Sequence, residues 1–177
     1  KSENLCLAGG VALNCVVNGI LFNKKIFDKI WIQPASGDAG GALGAALAVW
    51  YLNYAKTRKT YLNQDKMNGA YLGPKLSDKQ IKHSLDSCGA TYHILNENEL
   101  IEKVATALTQ EKVVGWIQGR MEFGPRSLGA RSIIADPRSQ FMQKKLNLKI
   151  KFRESFRPFA PSIILEHAKQ WFEIQND

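Results

Sequence analysis

Basic side chains are concentrated in one segment of the chain, residues 120–157. Ten of the 24 Lys and Arg residues lie there against three acids, so this segment supplies seven of the eight net positive charges. Arginine presents a rigid fork of donors that matches phosphate or carboxylate oxygens, and lysine supplies a compact charge. Focused positive charge among glycine and proline turns predicts a site for a small anion, with a solvated basic face as the alternative. The candidate anion-binding and catalytic residues are Arg120, Arg126, Arg131, Lys151, Arg153 and Arg157.

The end of this segment, KFRESFRPFAP, alternates basic residues with phenylalanines. In a β-strand, Lys151 and Arg153 would share one face. Aromatic rings beside arginine could stack on RNA bases, but we expect most of these phenylalanines to belong to the core. We therefore assign the basic residues to an anion.

A glycine turn follows the first apolar run of the chain, in AGGVALNCVVNG. Gly9 and Gly10 would let backbone N–H groups approach a phosphate or a ribose, because no Cβ stands in the way. The amide of Asn14, one helical turn further, could bind a base or a sugar hydroxyl. Helix packing is the alternative explanation of such glycines.

A second glycine turn, SGDAGGALGAA, lies about 30 residues further on and also precedes an expected helix. Gly37 and Gly40 flank the carboxylate of Asp38, which could bind a cation or cap the helix. Two such turns so close together favour a nucleotide cleft, with Gly37 and Gly40 as further candidate cofactor-binding residues.

The pattern of apolar residues and turn formers predicts an α/β protein whose second part is α+β. The first part has predicted strands at 4–8 and 30–32 and predicted helices at 11–22 and 41–52. After a polar connection, Ser77 and Gln80 form a capping box for the next helix, and Gly89 is suited to end it. Further predicted strands cover residues 91–95, 113–117, 133–135 and 163–165, and further predicted helices run from a cap at Asn98 to 108, from a cap at Ser139 to 148, and from 166 to 172.

Composition excludes several classes of protein. The chain has 177 residues, of which 45% are hydrophobic and 23% charged, which permits a core and argues against disorder. It contains no apolar run of about 18 residues, so we expect no membrane span. Three cysteines without a CxxC pair favour a reducing, cytoplasmic setting. The three histidines show no HxxxH spacing, so a complete metal site within this chain is not expected.

Four stretches together give the chain a specific resemblance: AGGVALNCVVNG, QPASGDAGGALGAA, GRMEFGPRSLGARSIIADPR and KFRESFRPFAPSI. They resemble the O-carbamoyltransferase family of nodulation and antibiotic-tailoring enzymes over essentially the whole chain. The resemblance implies an upstream actin-like ATPase-type domain and a downstream YrdC-like, carbamoyl-adenylate-forming domain. It predicts that residues 1–57 are the end of the first domain, 58–75 a linker, and 76–177 all or part of the second domain.

The resemblance also implies the chemistry. Family enzymes convert carbamoyl phosphate and ATP into carbamoyl-adenylate, and then transfer the carbamoyl group to a hydroxyl of a sugar or antibiotic. Gly9, Gly10 and Asn14 match the family's nucleotide-contacting turn, and Asp38 matches its carboxylate ligand for a divalent metal, Fe or Mg. The family's metal-binding histidines would lie in an upstream half of the protein, so we expect this chain alone to be catalytically inactive.

Two other functions remain open. The net charge of +8 and the pI near 9.4 would suit a tRNA threonylcarbamoyl-transfer protein, although the charge is concentrated in one segment and nucleic-acid binding is not expected. A non-catalytic nucleotide- or anion-binding module is the second alternative. If the chain is cut through a domain, it should expose apolar surface at Trp31, Ile32, Val49 and Trp50.

Overall fold

A computed structural model of the chain describes residues 2–60 and 64–174. Within these residues the protein mixes helices with two small sheets, which confirms the predicted α/β class. The chain forms two compact units, one of Lys1–Tyr92 and Trp116–Ser132, the other of His93–Gly115 and Ile133–Asp177. The predicted domain boundaries at 57 and 76, and the actin-like and YrdC-like folds, stay predictions.

The first unit begins with a strand–helix–strand arrangement. Strand β1 (Asn4–Leu7) lies parallel to β2 (Lys29–Ile32), with Asn4 opposite Lys29 and Leu7 opposite Ile32. Helix α1 (Cys15–Asn23) connects them, as a crossover between parallel strands requires. The predicted helix start at residue 11 is wrong, because Gly10–Leu13 forms a 3₁₀ turn and α1 begins only after Asn14.

Helix α2 (Asp38–Ala48) is the next element after β2 and continues into a π-helical turn, Val49–Asn53. It begins three residues before the predicted start, because Gly37 already acts as its N-terminal cap. Helix α3 (Asp78–Ser87) has the predicted capping box, in which Ser77 accepts from the Gln80 N–H and Gln80 accepts from the Ser77 N–H. Gly89 adopts a positive φ of 65°, as its predicted place at the helix end demands.

Residues 91–95 do not form the predicted strand. The Tyr92 hydroxyl instead donates to the Asp86 carboxylate at 2.7 Å, which ties this segment back to α3. Helix α4 (Glu97–Thr109) begins two residues before the predicted one, because Asn96 rather than Asn98 caps it in a capping box with Glu99.

Strand β3 (Val114–Ile117) confirms the predicted strand and pairs with β4 (Arg131–Ile134). Helix α5 (Met142–Lys149) starts after Phe141, so the predicted cap at Ser139 is wrong; Ser139 contributes only its carbonyl, which accepts from the Met142 N–H. Residues 151–157 form turns and not a strand, so Lys151 and Arg153 do not share a strand face.

The predicted strand at 163–165 is also wrong, since Leu165–His167 is a 3₁₀ turn that leads into helix α6 (Ala168–Trp171). The buried apolar residues of the described chain are mostly alanines, and many large apolar side chains remain exposed. The expected exposure is confirmed for Trp31, Val49 and Trp50, while Ile32 is half-buried. Among the described residues, every helix is too short or too polar to cross a bilayer.

Candidate functional site

The two glycine turns of the first unit line one open cavity of about 320 Å³. The turn after β1 contributes Gly9 and Gly10, and the turn before α2 contributes Gly37, Asp38 and Gly40. Four glycines and one carboxylate that were predicted to bind a nucleotide and a metal therefore surround the same space. Asn14 is not part of the lining, because its side chain caps α1 by accepting the Val17 N–H at 3.2 Å.

Backbone geometry explains why glycine occupies two of these positions. Gly9 has a φ of 91°, a conformation that side-chain-bearing residues rarely adopt, and its N–H donates to the Ser36 carbonyl at 2.6 Å. A Cβ on Gly40 would lie 1.8 Å from the Ala35 carbonyl oxygen. The two turns are therefore joined by a backbone hydrogen bond, and the second turn folds tightly over the first turn of α2.

The start of α2 offers hydrogen-bond donors to the cavity. No side chain caps the helix at Gly37, so N–H groups of its first turn are left without a capping acceptor. The Ser36 hydroxyl beside them is 5% exposed and has no hydrogen-bond partner among the described residues. N–H groups at a helix N-terminus and a buried hydroxyl both suit phosphate oxygens, and nucleotide binding in this cavity stays a prediction.

The carboxylate of Asp38 affects which anions could bind in the cavity. Its carboxylate occupies the first helical position and lines the same cavity, so it would repel a bare phosphate. A divalent cation between the carboxylate and the phosphate removes this repulsion. The described residues contain no group of three His, Cys, Asp or Glu side chains that could hold a metal, and metal binding by Asp38 stays a prediction.

A buried carboxylate organises the arginine-bearing loop of the first unit, which we call the Glu122 loop (residues 122–131). Glu122 is 8% exposed, and its Oε1 accepts N–H groups from Leu128 at 2.7 Å, Ala130 at 2.8 Å and Arg131 at 3.2 Å. Burial alone would raise the pKa of Glu122, but these backbone hydrogen bonds outweigh it and lower the pKa. The carboxylate therefore stays ionised and holds the loop closed.

The three candidate arginines of this unit donate to separate backbone carbonyls. Both Nη groups of Arg131 donate hydrogen bonds to backbone carbonyls, which belong to Gln118, Gly119 and Ala130. Arg120 donates to Gly73 at 2.9 Å, and Arg126 donates to Leu13 at 3.3 Å. The structure thus brings Arg126 beside the first glycine turn, whereas the fork of Arg131 is engaged in holding its own loop. Anion binding by these three residues stays a prediction.

The second unit holds the other basic turn, the Asn147 loop (residues 151–157), through a buried amide. Asn147, on α5, is fully buried at 0% exposure. Its Oδ1 accepts from Arg153 Nε at 2.6 Å, and its Nδ2 donates to the carbonyls of Ser155 at 3.1 Å and Arg157 at 2.9 Å. One side chain therefore fixes both the loop backbone and an arginine.

The three candidate residues of the Asn147 loop have different surroundings. Arg153 is half-buried, with its Cζ 4.8 Å from the centre of the Phe159 ring. Arg157 forms an exposed ion pair with Glu154 at 2.9 Å, and Lys151 is exposed. Arg153 is consequently the candidate whose orientation the structure fixes most completely, and its role in anion binding stays a prediction.

Sequence reasoning missed three residues that shape these sites: Ser36, Glu122 and Asn147. Glu122 carried a usable signal, since it is one of only three acids in the basic segment and immediately precedes the Phe-Gly-Pro turn. Asn147 in LNLK gave no signal, because only the fold shows that an amide is buried there. Ser36 could be read only as part of a turn.

Two carbamoyltransferase family models match this chain. A family model described as Carbamoyltransferase N-terminus matches residues 1–47, and one described as Carbamoyltransferase C-terminus matches residues 105–177. The chain is 42% identical over 173 residues to nodulation protein NolO of Bradyrhizobium diazoefficiens, covering 97% of this chain and 31% of that protein. It is 41% identical over 175 residues to nodulation protein NolNO of Sinorhizobium fredii, covering 98% of this chain and 25% of that protein.

An uncharacterized protein of Synechocystis sp. is 55% identical over 176 residues, which is 98% of this chain and 28% of that protein. The chain spans less than a third of the length of these curated relatives. The similarity covers both glycine turns and both basic loops, since nearly the whole chain is aligned in each comparison.

Proposed function

The chain belongs to the carbamoyltransferase family, and on that premise we propose that it forms part of an ATP-dependent carbamoyltransferase. The reaction moves a carbamoyl group from carbamoyl phosphate, through carbamoyl-adenylate, to a hydroxyl of a sugar or natural product. The proposal is supported by the cavity that the two glycine turns line and by the guanidinium of Arg153, whose Nε is held by Asn147.

In the second unit, the Asn147 loop is proposed to bind carbamoyl phosphate. This substrate is a dianion, and its phosphate gains charge as the acyl–phosphate bond breaks. A guanidinium held in place beforehand stabilises that charge without reorganisation during the reaction. Arg153 is proposed to supply this group, with Lys151 and Arg157 adding charge from more exposed positions. Water hydrolyses the acyl–phosphate bond to give carbamate and inorganic phosphate, a carbamate oxygen then attacks the α-phosphorus of ATP, and pyrophosphate leaves.

In the first unit, the cavity between the glycine turns is proposed to bind a nucleotide phosphate. Backbone N–H groups at the start of α2 and the Ser36 hydroxyl would donate hydrogen bonds to the phosphate oxygens, and Arg126 would add charge beside the first turn. A divalent metal, Fe or Mg, would act as a Lewis acid on the carbamoyl carbonyl. Asp38 would supply one of its ligands.

We also propose a cytoplasmic location, in agreement with the use of ATP. The cysteines Cys6, Cys15 and Cys88 are all free and exposed, which favours a reducing compartment.

The test uses the full-length protein that contains this chain, with radiolabelled carbamoyl phosphate, ATP and a panel of hydroxyl-bearing acceptors. We expect release of pyrophosphate that depends on carbamoyl phosphate, followed by transfer of label to an acceptor. Binding of ATP without carbamoyl-phosphate-dependent pyrophosphate release would favour a non-catalytic binding module instead. Tight tRNA binding with a steep salt dependence would favour the threonylcarbamoyl-transfer alternative.

A further inference from the structure

Asn147 presents an unusual buried polar group in the second unit. A buried amide is tolerated only where its donors and acceptor find partners. Here both Nδ2 hydrogens have a backbone carbonyl to bond, and Oδ1 accepts from Arg153. The site therefore selects an amide: a carboxylate has no hydrogens for the two carbonyls, and an apolar side chain would leave both carbonyls and the arginine unpaired.

The contact between Asn147 and Arg153 fixes a guanidinium in space. Its Nε is held by Oδ1 at 2.6 Å, and one face lies over the Phe159 ring. No hydrogen bond or ion pair engages its two Nη groups within the described residues, so the donor edge that suits a phosphate is left open. Because its Nε and one face are already in contact with other side chains, the guanidinium keeps one orientation. This lowers the conformational entropy that is lost when an anion binds.

A neighbouring side chain makes it possible to distinguish orientation of Arg153 from support of the loop backbone. Gln143 lies one helical turn before Asn147 on α5, and its Nε2 donates to the carbonyls of Phe156 and Arg157, both at 3.0 Å. Gln143 therefore supports the same loop backbone but does not bond to Arg153. The distinctive contribution of Asn147 is its acceptor for the Arg153 Nε.

We infer that Asn147 is a positioning residue that orients the Arg153 guanidinium toward the phosphate of carbamoyl phosphate. This inference rests on the proposed function of the Asn147 loop. It assigns no contact with substrate to Asn147, whose amide is fully engaged inside the protein.

The first experiment is a double-mutant cycle, read by calorimetry of carbamoyl phosphate binding to the full-length protein. Asn147→Ala should raise the Kd about tenfold, and Arg153→Ala should raise it by at least as much. The double variant should bind no more weakly than Arg153→Ala alone, because the two residues act through one group. Gln143→Ala is the matched control for support of the loop backbone, and it should raise the Kd less than Asn147→Ala does, because it keeps the contact between Asn147 and the Arg153 Nε.

Two results of this cycle would overturn the inference. Additive effects of Asn147→Ala and Arg153→Ala would show that Asn147 does not act through the arginine. Equal weakening by Gln143→Ala and Asn147→Ala would show that only the loop backbone matters. If the unsubstituted protein binds neither carbamoyl phosphate nor inorganic phosphate, the proposed function fails, and the second experiment still decides the role of Asn147.

The second experiment needs no ligand. The Arg153 Nε–H resonance in ¹⁵N NMR should be protected from exchange in the unsubstituted protein and in Gln143→Ala, and should lose that protection in Asn147→Ala. Asn147→Asp keeps the acceptor but loses the two donors, so it should retain the protected resonance even if the variant is less stable. An unprotected Arg153 Nε–H in the unsubstituted protein, or protection that persists in Asn147→Ala, would refute the positioning role.

Discussion

The Glu122 loop and the Asn147 loop are each held by a buried polar side chain, but one side chain accepts hydrogen bonds from the loop backbone and the other donates them. In the first, an ionised carboxylate accepts three backbone N–H groups. In the second, a neutral amide donates to two backbone carbonyls and accepts from an arginine. Each basic turn is thus held from inside by one buried polar side chain.

The difference between the two loops determines what their arginines are free to do. In the Glu122 loop, both Nη groups of Arg131 donate to backbone carbonyls, so this guanidinium is part of the loop's support. In the Asn147 loop, the amides of Asn147 and Gln143 support the backbone, and the Nη groups of Arg153 make no hydrogen bond among the described residues. An arginine available for an anion is therefore one whose loop is held by something else.

The largest effect is expected from Glu122→Ala. This change leaves three backbone N–H groups without their acceptor in a buried place, and we expect a loss of about 2–4 kcal/mol in the free energy of unfolding. Urea denaturation followed by tryptophan fluorescence measures the change. The Glu122 loop should open, whereas the Asn147 loop should keep its protected Arg153 Nε–H.

Glu154→Ala is the matched control, because it removes another acid of the basic segment from an exposed ion pair. Its stability should equal that of the unsubstituted protein. If Glu122→Ala were no more harmful than Glu154→Ala, the carboxylate would not be what closes the loop.

The second prediction contrasts two arginines. Arg153→Ala should weaken carbamoyl phosphate binding by about 1.5–3 kcal/mol, because it removes charge-assisted hydrogen bonds. Arg131→Ala should instead lower the free energy of unfolding and leave binding to the Asn147 loop unchanged, because its donors are engaged with carbonyls. Calorimetry of carbamoyl phosphate binding and urea denaturation are measured on both variants. Weaker binding by Arg131→Ala together with unchanged binding by Arg153→Ala would contradict the distinction between the two loops.

Features that depend on residues close together in the sequence could be predicted, whereas contacts between distant residues could not. The capping box at Ser77 and the positive φ at Gly89 were predictable, because their signals lie within a few residues. The strand predicted at 163–165 failed because a short apolar run does not distinguish a strand from a 3₁₀ turn without knowing its partner. Asn147 could not be found, because its partners Ser155 and Arg157 reach it only after the chain has folded back on α5.

The third prediction concerns pH. The pKa of Glu122 is lowered in the folded protein, where burial is outweighed by the backbone hydrogen bonds from Leu128, Ala130 and Arg131. A lowered folded-state pKa gives stability that is present above the unfolded value, about 4.3, and is lost as pH falls through the folded one. Glu122→Gln should therefore flatten the fall in unfolding free energy below about pH 4.3. The amide that supports the Asn147 loop does not titrate, but Glu154 in that loop does, because a backbone hydrogen bond and the charge of Arg157 lower its pKa. Glu154→Gln isolates that contribution.

Asp136 needs a separate control, because its pKa is lowered to about 2 by hydrogen bonds from Arg138. The sign is the same, so its stabilisation is also lost with falling pH, but over a range that extends lower. Asp136→Asn isolates that contribution. A Glu122→Gln profile that ran parallel to the unsubstituted one would contradict the role given to Glu122.

The smallest effect separates the two supports of Arg153. Phe159→Leu removes the ring beneath the guanidinium but keeps an apolar side chain and the Asn147 contact. A cation–π contact of this kind contributes about 0.5–1 kcal/mol, so carbamoyl phosphate affinity should fall about two- to fivefold. Phe156→Leu, at an exposed position, is the matched control and should leave affinity unchanged. Because Oδ1 of Asn147 holds Nε independently of the ring, a Phe159→Leu effect as large as that of Asn147→Ala would mean that stacking, rather than the buried amide, orients the arginine.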